Sequence, residues 1–330
     1  MRTPAALRRL VTGKPVELDG QTLDSDMAMI LRLEKMAGLP RVESLPLPAG
    51  RAALKQRALL VTGEHPIGES RDLIVPGADG SELPARLYTP RGMHGSRPLL
   101  MFIHGGGYSY GDIDMYDGAC RYLAERSGIR VLSISYRLAP EHRFPAGLDD
   151  CFAAYTWTQE HASTLGIGGS GRIAVGGDSA GGTLATGICR LAREAGVAQP
   201  ALQVLIYPGT DASQRLPSHQ LFGEGFWLTR GFMDRCEALY VDPSVQLTDP
   251  RLSPLQARDL SGLASAYVVT AGFDPLRDEG EAYADRLAEH RGEVEKRRHP
   301  GLIHGFLNMV GASGSARAAV DEIADRLRRL

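Results

Sequence analysis

The chain has 330 residues, 43% of them hydrophobic and 23% charged, with a formal net charge of −2. That length can bury the core of one sizeable α/β domain, and the near-zero charge leaves no basic excess for nucleic acid or an anionic membrane. Four cysteines (Cys120, Cys151, Cys189 and Cys236) stand far apart with no metal-ligand spacing, so buried free thiols and no bound metal are expected. Residues Met1 to Thr12 carry arginines without the apolar run of a leader, and no segment approaches a membrane span. These features predict a cytoplasmic protein without membrane insertion.

In chain order, the first 60 residues stand apart. They hold a predicted helix from Ser25 to Ala37, carrying Met27, Ile30, Leu31 and Met36, and then a proline-rich connector from Pro40 to Pro48. From about residue 70 strands and helices alternate, the pattern of an α/β fold with a mostly parallel sheet flanked by helices. Strands near 71–75 and 85–88, linked by Gly77-Ala78-Asp79-Gly80, are expected to pair antiparallel. Buried strands recur near 99–103, 130–134, 172–176, 202–206, 266–271 and 293–298, with helices near 115–127, 147–161, 180–195, 278–291 and 315–329. The last helix shows Val320, Ile323, Leu327 and Leu330 on one face, which directs it onto the sheet. Residues 208–240 break the alternation, and there Phe222, Phe226, Trp227 and Leu228 cluster.

The run Gly177-Asp178-Ser179-Ala180-Gly181-Gly182 lies between the strand Arg172–Gly176 and a helix starting around Thr183. A Gly-x-Ser-x-Gly in that setting is a nucleophile elbow, a sharp turn that lifts a serine hydroxyl above the sheet edge. Side chains at Gly177 or Gly181 would collide with backbone where the turn doubles back. Asp178, beside the serine, reads as a turn-stabilising residue. A serine needs a base to take its proton, an acid to orient the base and an oxyanion site. In this chain order the base comes last, which selects His304 in Leu302-Ile303-His304-Gly305-Phe306, with His299 as near competitor on a charged strand. His65, His94, His142, His161 and His219 lie in polar or turn-like segments and are read as surface residues, while His290 closes a helix.

The acid is read as Asp274, the first carboxylate after the buried strand Ala266–Gly272, with Pro275 biasing it to an extended backbone. Asp278 and Glu279 compete but fit better in the first turn of the next helix. His104-Gly105-Gly106-Gly107 follows the apolar strand Leu99–Ile103 and fits an oxyanion loop of bare backbone N–H groups, completed by the N–H of Ala180. A phosphate-cradling reading fails, because neither Gly-Lys-Ser/Thr nor Gly-x-Gly-x-x-Gly follows. His104 is read as orienting that loop. Tyr108, directly after it, is either a pocket residue or a structural ring.

Taken together, His104-Gly-Gly-Gly107 and Gly177-Asp-Ser-Ala-Gly-Gly182 resemble the hormone-sensitive-lipase family of bacterial esterases, within the α/β-hydrolases. Ser135-Tyr-Arg-Leu-Ala-Pro-Glu141, Phe144-Pro-Ala146 and Asp274-Pro-Leu-Arg-Asp-Glu279 add to the likeness, which runs from about residue 70 to the end. The resemblance implies a carboxylesterase of short- to medium-chain esters with Ser179, Asp274 and His304 as triad, Gly106 and Gly107 as oxyanion donors, and no cofactor. It leaves room for a homodimer. Relatives commonly carry Asn where this chain has Thr183, a position outside the chemistry. An amidase, formamidase or acyltransferase would use the same triad, whereas a non-catalytic ligand receptor is disfavoured by the presence of His304. Residues 1–60 are read as an N-terminal cap segment and 61–330 as the catalytic domain, with a cap insertion at about 208–240. Methionine and aromatic clusters there suit an acyl chain, against the alternative that they only pack the cap onto the main domain.

Overall fold

A computed structural model of the chain describes residues 13–93, 95, 97–168, 172–290 and 292–330. The reading of Met1–Thr12 and that of His94 therefore fall outside the described residues. A small hairpin of β1 (Glu17–Leu18) and β2 (Gln21–Thr22) precedes α1 (Ser25–Ala37) and α2 (Leu47–Thr62). An eight-stranded sheet follows, made of β3 (Glu69–Pro76), β4 (Glu82–Thr89), β5 (Leu99–Ile103), β6 (Arg130–Ile134), β7 (Ile173–Asp178), β8 (Gln203–Ile206), β9 (Ala266–Phe273) and β10 (Val294–Ile303). Its order is β10-β9-β8-β7-β5-β6-β4-β3. β4 runs antiparallel to both β3 and β6, and every other neighbouring pair is parallel.

Between the strands lie α3 (Asp117–Ser127), α4 (Ala146–Glu160), α5 (Ala180–Ala195), α6 (Pro217–Phe222), α7 (Arg230–Tyr240) and α8 (Arg277–Glu289), and α9 (Gly314–Arg328) follows the last strand. Period-2 alternation along β5 divides its side chains between two cores. Leu100 and Phe102 join α3 and α9 on one face, while Leu99, Met101 and Ile103 join α4 and α5 on the other. Val320, Ile323 and Leu327 of α9 are buried there and Leu330 packs against them, as the sequence pattern requires. This is the α/β-hydrolase arrangement, a largely parallel sheet with helices on both faces.

The N-terminal region departs from expectation in one respect: the connector is short and α2 follows it directly. Pro48 is tolerated in the first turn of α2, where its missing N–H has no helical partner to lose. Gly50 lets that turn approach the Val42 carbonyl and the Tyr110 ring. Of the apolar side chains on α1, Met27 is fully buried and Ile30 and Leu31 pack beside it, but Met36 is 67% exposed. α2 is tied to the main domain by Arg51, which donates to the Ser109 and Ala139 carbonyls and to Glu141. The 208–240 stretch folds into α6 and α7 and touches the N-terminal region: Arg41 pairs with Glu224 at 2.8 Å, Thr229 donates to Glu43 and Arg235 to the Leu45 carbonyl.

The segment after β6 is held from below. Asp150 on α4 is fully buried and accepts from the Arg137 guanidinium at 2.8 Å, the Arg137 N–H and the Ala78 N–H. The anchored strand exit places Tyr136 against the loop after β5, stacked on His104 at 4.5 Å. Replacing Asp150 by Ala strands these donors, and such a loss of one buried partner costs about 3–5 kcal/mol. Urea unfolding of Asp150→Ala is expected to show that fall in stability; a change below about 1 kcal/mol would contradict the assigned role.

Candidate active site

β7, β9 and β10 each end at one of three side chains that meet above the sheet. Ser179 follows β7 directly and opens α5, with φ 54° and ψ −124°, a backbone state that an L-residue keeps only when its surroundings impose it. The flanking glycines are explained by space. A Cβ at Gly177 or at Gly181 would land on the Ile103 carbonyl oxygen at the end of β5. Asp274 follows β9 and His304 follows β10.

His304 Nδ1 lies 2.8 Å from Asp274 Oδ2, and its Nε2 lies 3.0 Å from Ser179 Oγ. Asp274 is fully buried, and its other oxygen accepts the Leu276 N–H at 2.9 Å. With Asp274 ionised, Nδ1 carries the imidazole proton and Nε2 is free to accept from the serine hydroxyl. Asp278 and Glu279 sit in the first turn of α8, and His299 lies back within β10 beside Phe306, so none of these three joins the group. The Tyr207 ring packs on His304, its centroid 4.5 Å away.

The glycine loop after β5 lies on the other side of Ser179. Gly106 and Gly107 have φ of 114° and 58°, and a Cβ on either would strike the Tyr110 carbonyl or the Cys236 thiol. No described residue accepts the backbone N–H of Gly106, Gly107 or Ala180. His104 is buried, with Nδ1 2.8 Å from the Gly105 carbonyl oxygen, and Tyr136 donates to the His104 carbonyl at 3.1 Å. Burial lowers the pKa of His104, which keeps the ring neutral in its loop. Tyr108 lines the cavity and stacks on Tyr240 at 3.9 Å.

Above these groups lies a cavity of about 640 Å³. Leu31 and Leu54 of the N-terminal helices, and Trp227, Leu228 and Phe232 of the 208–240 stretch, are among its walls. Phe222 and Phe226 do not face it; they pack on Phe273, with centroids 5.5 and 5.2 Å away, and join the stretch to the sheet. Thr183 lines the cavity and donates its hydroxyl to the Gly209 carbonyl. All four cysteines are free and buried. Among the described residues no cluster of His, Cys, Asp or Glu is arranged to hold a metal, and no helix is long and apolar enough to cross a membrane.

One histidine expectation is overturned. His219 is buried, with Nε2 3.3 Å from Glu279 and Nδ1 accepting the Leu216 N–H. Glu279 also accepts the Thr210 N–H at 2.6 Å, while burial raises its pKa and the His219 contact opposes that rise. The pair fastens α6 to the segment that carries Asp274, across 60 residues of sequence that no local pattern connects. Asp178 also does more than stabilise its own turn. It accepts the Gly105 N–H at 2.8 Å and the Tyr116 hydroxyl at 3.0 Å, across the gap between β7 and the glycine loop.

Residues 100–308 match the model of the α/β hydrolase fold family. Over 99% of its length the chain is 44% identical to the carboxylic ester hydrolase LipN of Mycobacterium tuberculosis, covering 88% of that protein. It is 38% identical to the ethyl acetate hydrolase of Pseudomonas putida, over 87% of this chain and 93% of that one. A crystal structure of an α/β-hydrolase mutant from the metagenome of Lake Arreo, Spain, superposes with a TM-score of 0.90 at 42% identity, covering 93% of this chain and 98% of the other. The chain belongs to the α/β-hydrolase family, in its hormone-sensitive-lipase branch of esterases.

Burial pushes the Asp178 carboxyl from its ordinary 3.8 up to about 6, against the pull of the Gly105 and Tyr116 donors. Its folded pKa is raised, so its contribution to stability is fully present below about pH 4 and is lost as pH rises to about 6. The loss is on the order of 3 kcal/mol. Asp178→Asn removes this titration. Urea-unfolding free energies measured from pH 4 to 7 are expected to fall for the wild type relative to Asp178→Asn by about that amount. Parallel curves would show that the carboxyl titrates normally.

Proposed function

We propose that the protein is a carboxylesterase that hydrolyses short- to medium-chain esters through a serine acyl-enzyme. The observation that carries this reading is the line Asp274–His304–Ser179, at 2.8 and 3.0 Å, placed beside three backbone N–H groups without acceptors among the described residues, at the foot of a largely apolar cavity. The names of the relatives as ester hydrolases support the same class. We read α1, α2, α6 and α7 as the cap over the main domain, with their apolar side chains receiving the substrate's hydrocarbon parts. The partner is a small ester.

As Ser179 Oγ attacks the ester carbonyl, its proton passes to His304 Nε2, while Asp274 holds the imidazole tautomer and stabilises the imidazolium. Negative charge develops on the carbonyl oxygen, for which we read the N–H groups of Gly106, Gly107 and Ala180 as the donors. The tetrahedral species collapses, the carbon–oxygen bond to the alcohol breaks, and His304 returns the proton to the leaving oxygen. A water then attacks the acyl-enzyme with His304 again as base, releasing the carboxylic acid and restoring the serine.

Initial rates on p-nitrophenyl esters of increasing acyl length test the reading. Wild type is expected to turn over short esters fastest. Ser179→Ala and His304→Ala should retain no more than about a thousandth of kcat, and Asp274→Asn should lose roughly 10⁴-fold through the wrong tautomer. Anilide and alcohol-acceptor substrates are run in parallel. Turnover of those with none of esters would replace the esterase with an amidase or acyltransferase on the same residues.

A further inference from the structure

Asp178 is a buried carboxylate beside the nucleophile, and none of the steps above uses it. Its Oδ1 accepts the Gly105 N–H at 2.8 Å and its Oδ2 the Tyr116 hydroxyl at 3.0 Å. The Tyr207 hydroxyl is near enough to pull down the Asp178 carboxyl pKa, and the Tyr207 ring lies on His304. One side chain thus touches the glycine loop directly and the support of the histidine indirectly. Gly105 is shaped for the contact: a Cβ there would sit 2.8 Å from one carboxylate oxygen and 2.7 Å from the Asp178 carbonyl. The loop beyond it consists of two glycines at positive φ, which have no side chains to fix their own direction. Within the loop the Gly105 carbonyl oxygen lies 2.8 Å from His104 Nδ1 and the Gly106 carbonyl accepts the Ser109 and Tyr110 N–H groups at 3.2 and 2.9 Å, which leaves the tie to the Ser179 strand to the Gly105 N–H.

We propose that Asp178 is a positioning residue of the oxyanion loop: by accepting the Gly105 N–H it holds the loop, and with it the Gly106 and Gly107 N–H groups, in place relative to Ser179. An ionised acceptor makes this hydrogen bond roughly twice as strong as a neutral one. The two anchors differ in kind. His104, stacked on Tyr136, holds the start of the loop from the β6 side, and Asp178 ties it to the strand that carries Ser179. The Asp178–Gly105 bond thus adds a direct tie from the loop to the strand that carries the nucleophile, beside the bonds that hold the Gly105 and Gly106 carbonyls. The proposal rests on the reading of those N–H groups as an oxyanion site.

The test compares wild type, Asp178→Ala, Asp178→Asn and Asp178→Ser by kcat and KM on p-nitrophenyl butyrate, by the rate of Ser179 labelling with a fluorophosphonate, and by Tm. Labelling forms the Oγ–P bond and expels fluoride, with the serine proton passing to His304, so it reads oxyanion geometry without needing an ester substrate. Asp178→Ala is expected to lose about a hundredfold in kcat, the scale of one misdirected oxyanion donor. Its KM should stay within about threefold, and its labelling rate should fall in step with kcat. Asp178→Asn keeps an oxygen for the Gly105 N–H and should recover to within about tenfold of wild type. Asp178→Ser, whose hydroxyl is too short to reach, gives the same reading as the alanine variant if the latter does not fold.

A folded Asp178→Ala or Asp178→Ser variant with kcat and labelling within threefold of wild type would overturn the proposal. So would a loss confined to KM, or an asparagine variant no better than alanine. Wild type that is labelled but hydrolyses no ester would reject the esterase reading and leave the labelling rates to judge Asp178. Wild type that is not labelled at all would overturn both.

Discussion

The carbonyl oxygen of Ile103 fills the space where side chains at positions 177 and 181 would project. β5 and β7 lie side by side and parallel, with Ile103 opposite Gly177 in register, so the exits of the two strands emerge at the same height. From one exit comes the glycine loop and from the other the serine. Their closeness forces Ser179 into its unusual backbone state, a strain of about 1–3 kcal/mol that only a surrounding well-packed fold can hold. The packing of α5 across the sheet supplies that hold: from Ala180 to Cys189 every residue of the helix is buried.

The other arm of the site obeys the same logic at lower cost. β8, β9 and β10 continue the parallel set, so Asp274 and His304 also leave strand ends at neighbouring positions. The imidazole needs no strained backbone. It is fixed by a buried carboxylate on one side and the Tyr207 ring on the other. Tyr207 itself sits at φ 37°, a further place where the chain accepts an awkward conformation directly after a central strand.

Much of this was legible because the causes are local. A glycine either side of Ser179, an apolar pentapeptide before His104 and a first carboxylate after a buried strand are short-range signals, and they mark the strand ends where the side chains were found. The mostly parallel sheet flanked by helices followed from alternation of apolar runs and the α/β-hydrolase class from the resemblance of the glycine and serine motifs, whereas the strand order was not read from the sequence. What escaped is non-local. His219 looked like a surface residue because Glu279, its partner, lies 60 residues on. The bond from the Gly105 N–H to Asp178 depends on β5 neighbouring β7, which no pattern within either strand specifies. α2 was missed because it leaves Leu59 and Leu60 exposed at 47% and 82%, which blurs the apolar stripe that marks a helix in sequence. Phe222 and Phe226 were indistinguishable from Trp227 on composition alone, since facing the cavity or facing Phe273 is decided by the bend of the chain between them.

The first two helices among the described residues complete their contacts with the latest part of the chain. The Asp24 N–H donates to the Gly301 carbonyl, Asp26 accepts the Gly314 N–H, and the Thr62 hydroxyl donates to the Asn308 carbonyl. During synthesis those partners follow the N-terminal residues by some 250–290 positions, which is tens of seconds at ribosomal rates. Met27 and Leu31 must wait through that interval with their destined neighbours still unmade. A growing chain therefore carries the one buried side of α1, centred on Met27, without its C-terminal partners for most of its translation.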